Sequence, residues 1–269
     1  MNLRSLHKAL KSGSEISVEG KFLRQLELTI EQMDRKDSRK KSVYYKPSSL
    51  NCPRQMFYYR KGTAVTDTPA DSSMVGVCES GSDRHLRLQA AIKRMREFGY
   101  DCEYVDVAQF VNEHKPAGTV VIGRVGAETK CFNTIYQMSF MCDGILRIGG
   151  RYYVLEIKTE NSFKFGSRMG VDEKHYNQAI CYSILFGIDK VLFLYENRDI
   201  LCKKSFMFTV TDKMKEELLA RLAHVEKCLK DDILPERCAN DKPCRYCEYA
   251  KLCKLNLGGK SEAEQRKAV

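Results

Sequence analysis

The chain has 269 residues, of which 43% are hydrophobic and 30% are charged, as in ordinary globular proteins. No stretch approaches the roughly 20 apolar residues of a membrane-spanning helix, and the first residues lack the apolar centre of a secretion signal. We therefore expect a cytoplasmic protein without a membrane partner. The excess of 45 Lys and Arg over 35 Asp and Glu gives a net charge of +10. This charge favours a nucleic-acid partner, although a basic surface that only maintains solubility has the same composition.

The N-terminal segment, residues 1–42, is highly charged and is predicted to be separate from the rest of the chain. Apolar residues from Leu23 to Ile30 recur at helical spacing, which predicts a helix. A basic run from Arg35 to Lys41 follows. A flexible arm that contacts phosphate and a solvated tail both fit this run.

Residues 43–256 are predicted to form one domain, and residues 257–269 a tail. Near the start of the domain, Pro53 suits the first position of a helix that Asn51 would cap. A loop over residues 62–76 is predicted next. It is followed by a helix from about residue 79 to Phe98, which Gly99 ends.

The remainder of the domain alternates strands with helices. Residues 101–134 are predicted to form short strands around a glycine-rich turn. Two apolar runs around Gly149-Gly150 predict a hairpin over residues 138–158. The elements predicted after it are a helix (172–186), two strands (190–196 and 201–210) and a helix (212–230). This order predicts an α/β fold with a mixed central sheet flanked by helices.

The predicted hairpin brings two acids together. If Ile148 and Arg151 flank a two-residue turn, Asp143 lies directly opposite Glu156. The alternation of side chains along a strand then puts Lys158 on the same face. Opposed carboxylates about 5 Å apart repel each other unless a cation lies between them. Oxygen ligands of this kind suit Mg²⁺ or Mn²⁺.

The two faces of the hairpin differ in character. The face predicted to be core carries Cys142, Leu146, Tyr153, Leu155 and Ile157. Ile145 and Val154 share the acidic face, so a surface hairpin with solvated acids fits less well than a functional cluster. The Glu-x-Lys triplet alone is not specific, because acid-x-Lys recurs elsewhere, for example at Glu128 and Lys130.

Four motifs occur along the chain in a fixed order. They are Gly81-x-x-x-His85, Asp143, Glu156-Ile157-Lys158, and Gln178 with Tyr182 four residues later. Over residues 48–255 this set resembles the RecB-type PD-(D/E)xK nucleases, which implies a restriction-endonuclease-like core. Two departures are Cys142, where that family has proline, and Phe140, where a glycine is common.

The resemblance implies a role for each motif residue. The implied metal ligands are His85, Asp143, Glu156 and the backbone carbonyl of Ile157. Lys158 would orient the attacking water and stabilise charge on the phosphate. Gln178 and Tyr182 would position the DNA strand near the cleaved bond.

Twelve cysteines without an export signal argue against a disulfide framework. Six are scattered in apolar surroundings and are predicted to be small core residues: Cys78, Cys131, Cys142, Cys181, Cys202 and Cys228. Three others, Cys244, Cys247 and Cys253, are spaced as metal ligands. A fourth ligand would be Cys238, which suits a local zinc site, or the distant Cys52.

The second arrangement resembles the iron–sulfur members of the RecB-type nucleases, among them the CRISPR-associated adaptation nucleases and the AddB nuclease domain. In those proteins a cysteine before the nuclease core joins three C-terminal cysteines. The resemblance implies a structural 4Fe–4S cluster on Cys52, Cys244, Cys247 and Cys253, with structural zinc as the alternative.

The activity implied by the resemblance is a metal-dependent DNA nuclease, in the first place an exonuclease on single-stranded DNA or DNA ends. Its candidate partners are recombination, repair, replication or CRISPR adaptation proteins. The alternatives are a structure-specific or restriction-like endonuclease and a non-catalytic iron–sulfur protein that binds nucleic acid. The residues expected to contact DNA are Arg54, Arg84, Lys164, Arg168 and Lys174. Phe163 and Phe165 fit either stacking on unpaired bases or packing in the core.

Overall fold

The computed structural model describes residues 17–36, 43–63, 71–126, 128–237 and 247–255. The α-helices of these residues are α1 (Val18–Lys36), α2 (Pro53–Arg60), α3 (Ser72–Lys93), α4 (Val107–His114), α5 (Ser162–Gly166), α6 (Tyr176–Phe186), α7 (Asp212–Lys230) and α8 (Ala250–Leu255). The strands are β1 (Glu103–Val105), β2 (Thr119–Val125), β3 (Glu128–Asn133), β4 (Met138–Met141), β5 (Gly144–Ile148), β6 (Arg151–Glu160), β7 (Lys190–Asn197) and β8 (Lys203–Thr209). The predicted α/β class is confirmed.

A five-stranded mixed sheet, in the order β1-β5-β6-β7-β8, forms the centre of the described residues. Its β6 and β7 run parallel, and the other neighbours are antiparallel. The predicted hairpin register is confirmed, because Ile148 pairs with Arg151 and Gly144 with Leu155. Since parallel strands are buried on both faces, the central residues of β6 and β7 are mostly apolar.

A second sheet of three antiparallel strands has the order β2-β3-β4. The sequence predicts one long hairpin strand from Met138, but the chain changes sheets at Cys142-Asp143. The residues before this point belong to β4 and pair with β3, and those after it belong to β5. Asp143 therefore lies at the junction of two hairpins.

Apolar residues cover both faces of the central sheet. On one face, Ile145 and Val154 belong to the large cluster that also includes residues of α6 and α7. On the other face, Leu88 of α3 packs with Leu146 and Ile157. The helical spacing of Leu88, Ile92, Met95 and Phe98 in the sequence predicts an inward stripe, which is confirmed at Leu88. The helix ends at Lys93, however, and Phe98 beyond it is 65% exposed.

Five further predictions require correction. Helix α3 begins at Ser72, within the predicted loop, and residues 101–134 contain α4 as well as strands. Asn51 does not cap α2, because the N-cap position is Cys52 and the Asn51 amide instead donates to the Lys174 carbonyl at 3.0 Å.

Cys142 packs with the cluster that contains Ile145 instead of on the opposite face. Cys78 and Cys202 are exposed, whereas the other four scattered cysteines are buried.

The chain divides into two compact units. The first comprises residues 1–40 and 68–80, of which the structure describes α1 and the first part of α3. The second comprises residues 41–67 and 81–269, and it contains both sheets. The predicted domain boundaries remain a prediction; the basic run after residue 36 and the tail 257–269 lie outside the described residues.

No helix in the described part of the chain is both long and apolar enough to cross a membrane.

Candidate active site

The site is built around Asp143, at the junction of the two hairpins. The backbone there is held from two directions, because the Gln89 amide and the Tyr104 hydroxyl donate to the Asp143 carbonyl at 2.8 and 3.0 Å. Gly144 follows with a φ of +155°, and a Cβ there would lie 2.4 Å from the Tyr104 ring. Only glycine fits this position, so the turn that presents Asp143 depends on it.

The side chains of His85 and Glu128 approach Asp143, and all three are of types that can ligate a metal. His85 Nδ1 lies 2.7 Å from Asp143 Oδ1, and Asp143 Oδ2 accepts a hydrogen bond of 2.6 Å from the Ile157 backbone N–H. Within the described residues, His85, Glu128 and Asp143 form a group whose ligand atoms all lie within 4.8 Å of one another. An imidazole with two carboxylates suits a divalent cation.

The protonation of this group follows from its crowding. Burial, the charge of Asp143 and a hydrogen bond to it together raise the pKa of Glu128 to about 7. Burial is the largest influence on His85 and opposes its charged form, but the hydrogen bond to Asp143 and the charges of Asp143, Glu156 and Glu128 together outweigh it and raise the His85 pKa. Without a cation, the site thus favours bound protons where a metal would supply positive charge.

A second set of polar side chains lies beside the first. Lys158 Nζ lies 2.5 Å from Glu156 Oε1 and donates to Gln178 Oε1 at 3.1 Å. The Gln178 amide donates to Glu156 Oε1 at 2.7 Å and to the Tyr182 hydroxyl at 3.0 Å. Burial raises the pKa of Glu156, and Lys158 opposes this rise. The position of the Lys158 ammonium group is thus fixed by two buried acceptors, Glu156 and Gln178.

The structure therefore brings together the predicted residues His85, Asp143, Glu156, Lys158, Gln178 and Tyr182, and it adds one. Glu128 was missed, because its Glu-x-Lys triplet was treated as non-specific. Glu156 lies outside the close group of three ligands, held by Lys158 and Gln178. The Ile157 N–H contacts Asp143, while a role for its carbonyl remains a prediction.

Tyr182 is buried, whereas the resemblance implies that it positions the DNA strand. Its side chain is only 1% exposed, and its hydroxyl donates to the Met141 carbonyl at 2.7 Å. A direct contact with DNA does not fit this burial. The hydroxyl instead connects Gln178 to the end of β4.

The residues expected to contact DNA fall into two groups. Lys164 and Lys174 are exposed. Three arginines have partners inside the protein: Arg54 with the Pro235 carbonyl, Arg84 with Glu196, and Arg168 with Glu160. The Arg168 side chain is 9% exposed and stacks on the Tyr195 ring, which argues against a phosphate contact there.

Three of the predicted cluster cysteines meet at one cavity. Cys52, Cys247 and Cys253 line it together with Arg54 and Arg237. Arg54 Nη1 lies 3.8 Å from Cys253 Sγ. Cys244 and the alternative ligand Cys238 lie outside the described residues.

No family model and no curated protein matches the chain. Among solved structures, SSO0001 is similar with a TM-score of 0.46 and 17% identity, over 86% of this chain and 96% of that one. An alkaline exonuclease from Laribacter hongkongensis (LHK-Exo) has a TM-score of 0.42 and 13% identity, over 81% and 96%. The same enzyme in complex with dAMP gives 0.43 and 14%, over 80% and 96%. Similarity at this level establishes neither a family nor an activity for this chain.

Proposed function

We propose that the protein is a metal-dependent DNA nuclease that hydrolyses phosphodiester bonds. One observation carries the proposal: a group of three possible metal ligands, His85, Glu128 and Asp143, occurs together with a lysine, Lys158, that Glu156 and Gln178 hold in place. His85, Glu128 and Asp143 would hold Mg²⁺ or Mn²⁺, and Glu156 lies beside them. When bound, such a cation lowers the pKa of water and neutralises charge on the phosphate.

The residues around Lys158 explain how the chain itself would contribute. Two acceptors fix the ammonium group, so its position does not have to be established during the reaction. An ammonium group beside the phosphate stabilises the negative charge that develops on its oxygens. Glu156 and Gln178 retain acceptor oxygens that can orient the attacking water.

The net charge of +10 and the exposed Lys164 and Lys174 support a polyanionic substrate. We propose an exonuclease on single-stranded DNA or DNA ends, working with recombination, repair, replication or CRISPR adaptation proteins. A structure-specific endonuclease is the alternative that uses the same residues.

Digestion of end-labelled DNA tests both forms of the proposal. Linear single-stranded, linear double-stranded and circular single-stranded DNA are incubated with Mn²⁺, Mg²⁺ or chelator. We expect cleavage of linear DNA only with a cation, and none by Lys158→Met. Cleavage of the circle identifies an endonuclease. Absence of cleavage under all conditions, or equal cleavage with chelator or by Lys158→Met, refutes the metal-dependent nuclease.

We further propose that Cys52, Cys247 and Cys253, with Cys244, hold a 4Fe–4S cluster of structural role. The meeting of Cys52 with the C-terminal cysteines at one cavity supports this ligand set over one that uses only local cysteines. Anaerobic purification followed by visible absorption and metal analysis tests it. We expect a brown protein with about four irons per chain, whereas stoichiometric zinc without iron contradicts the cluster.

A further inference from the structure

The segment that follows the strand of Lys158 is firmly anchored. Asn161 caps α5 by accepting from the Lys164 backbone N–H at 3.0 Å. Ser162 Oγ donates to Asp199 at 2.6 Å, and Lys204 Nζ donates to the Phe165 carbonyl at 2.8 Å. The conformation of α5 is therefore set by contacts with neighbouring parts of the chain.

The two phenylalanines of this helix have opposite environments. Phe165 is 7% exposed and packs in the core, whereas Phe163 is 86% exposed. An anchored segment thus holds an aromatic ring in water, where burial of that ring would have been favourable by about 2 kcal/mol. Lys164, which follows directly, is also exposed. An exposed apolar ring and an exposed cation therefore lie on consecutive residues of α5.

The position of the pair relates it to the candidate active site. Phe163 follows Lys158 by five residues, so their Cα atoms lie within about 18 Å. A few nucleotides of a DNA strand cover such a distance. Proteins bind single strands by stacking bases on aromatic rings next to phosphate-binding cations. A base that is paired and stacked in a duplex does not offer its face to a ring in this way.

We infer that Phe163 and Lys164 hold one unpaired nucleotide of the substrate near the cleaved bond, with its base on the ring and its phosphate on the ammonium group. This inference rests on the proposed nuclease function and names its substrate as DNA that is unpaired at this position. It assigns a binding role to the Phe163 ring, and the buried Phe165 serves the core.

An abasic-site scan tests the contact. The probe is a single-stranded oligothymidylate in which one nucleotide at a time, within five of the cleaved end, lacks its base. Affinity is measured by fluorescence anisotropy with chelator present, and kcat/KM is measured with Mn²⁺. The proteins are the full-length chain, Phe163→Ala, Phe163→Trp and the control Phe98→Ala. Phe98 is a matched control, because it is exposed and has a cation, Arg94, over its ring.

We expect Phe163→Ala to weaken single-strand binding by about 5- to 150-fold, the range for loss of one stacked base. Phe163→Trp should stay within about twofold of the natural protein, and so should Phe98→Ala. At one position of the scan, the missing base should weaken binding by the natural protein but leave Phe163→Ala unchanged. Lys164→Gln should reduce the salt dependence of binding by about one phosphate, and Arg94→Gln should not.

Two outcomes separate this inference from the proposed function. If every abasic probe affects the natural protein and Phe163→Ala equally, or Phe163→Ala behaves as Phe98→Ala, the nucleotide contact is wrong even though cleavage persists. If binding shows the expected pattern but no DNA is cleaved with any cation, the contact is upheld and the nuclease function is refuted.

Discussion

The carboxylate site and the cysteine cavity are held together in different ways. In the carboxylate site, Asp143, Glu156, Lys158 and Gln178 all have hydrogen-bond partners within the chain. In the cysteine cavity, Arg54 Nη1 contacts Cys253 Sγ, in a distant segment of the chain, at the longer distance of 3.8 Å. The first site sits on sheet strands that fold with the core, whereas the second joins Cys52 to residues about two hundred positions later.

This difference indicates that the cysteine cavity depends on its proposed cofactor for its structure more than the carboxylate site does. The strands and helices of the core position the carboxylate site, so a cation would add charge balance and chemistry but little structure. The cysteine cavity would gain a further cross-link from a cofactor, beyond the Tyr59–Glu248 hydrogen bond and the packing of Tyr58 on Tyr249, because binding to four thiolates closes a long loop. Loss of the cation should therefore affect activity, and loss of the cluster should affect stability.

The largest expected effect is on cleavage by Asp143→Asn. The amide keeps the size of the side chain but removes the charge that would attract a divalent cation, so we expect kcat/KM to fall at least about a thousandfold. Because the substitution also relieves repulsion with Glu128, the melting temperature in chelator should not decrease. Asp101→Asn is the control, since Asp101 also accepts one backbone N–H, from Gly149 at 3.0 Å. A large loss of stability in Asp143→Asn would show that the carboxylate has a structural role.

The next largest effect should be on stability, in Cys253→Ala. Loss of one thiolate should release the cluster and lower the free energy of unfolding by about 3 kcal/mol or more, because cofactor binding is coupled to folding. The visible absorption should disappear with it. Cys202→Ala, at an exposed cysteine, should change neither property. If Cys253→Ala keeps both colour and stability, the proposed ligand set is incorrect.

The sequence predicts one half of the carboxylate site better than the other. The Gly149-Gly150 turn sets the β5–β6 register, so the approach of Asp143 to the strand of Glu156 and Lys158 follows from local turn chemistry. The inward stripe of α3 likewise brings His85 towards the sheet, one turn before Leu88. The periodic pattern of α3 and the Gly149-Gly150 turn are therefore enough to predict that His85, Asp143, Glu156 and Lys158 lie near one another.

The position of Glu128 depends on a second register, that of β3 with β4, which the Gly149-Gly150 turn does not determine. In the structure Lys130 pairs with Met141, and extending this register by two residues puts Glu128 across from Asp143. The signal was the short polar turn between β3 and β4, where Asn133 Oδ1 accepts from the backbone N–H groups of Ile135 and Tyr136. It was missed because the change of sheets at Asp143 depends on tertiary packing, which a continuous apolar run does not reveal.

A smaller effect should appear in the pH dependence of stability without a cation. The pKa of Glu128 is raised from 4.5 to about 7, so the folded protein keeps a proton that the unfolded chain has lost. The associated stabilisation is complete below about pH 4.5 and is lost as the pH rises through about 7. In chelator, the free energy of unfolding should therefore decrease over this interval.

Glu128→Gln should reduce this decrease, to which the raised pKa values of His85 and Glu156 also contribute, and Glu113→Gln, at an exposed glutamate, should retain it in full. Denaturant unfolding at a series of pH values provides the measurement. The same variant should lose most of the stabilisation that added Mn²⁺ gives the natural protein. If the pH profiles of Glu128→Gln and Glu113→Gln do not differ, Glu128 does not belong to the proposed group of metal ligands.

The smallest effect on activity is expected for Tyr182→Phe, which tests whether Tyr182 acts only through Gln178. Removal of the hydroxyl leaves the half-buried Met141 without this donor to its carbonyl, so the free energy of unfolding should fall by about 1–3 kcal/mol. Gln178 is still held by Glu156 and Lys158, so kcat/KM should fall no more than about tenfold. Tyr100→Phe, at an exposed tyrosine, should change neither quantity. If Tyr182→Phe instead lost activity as completely as Asp143→Asn, the hydroxyl would have to contact the substrate, and the buried position of Tyr182 would have to change on binding.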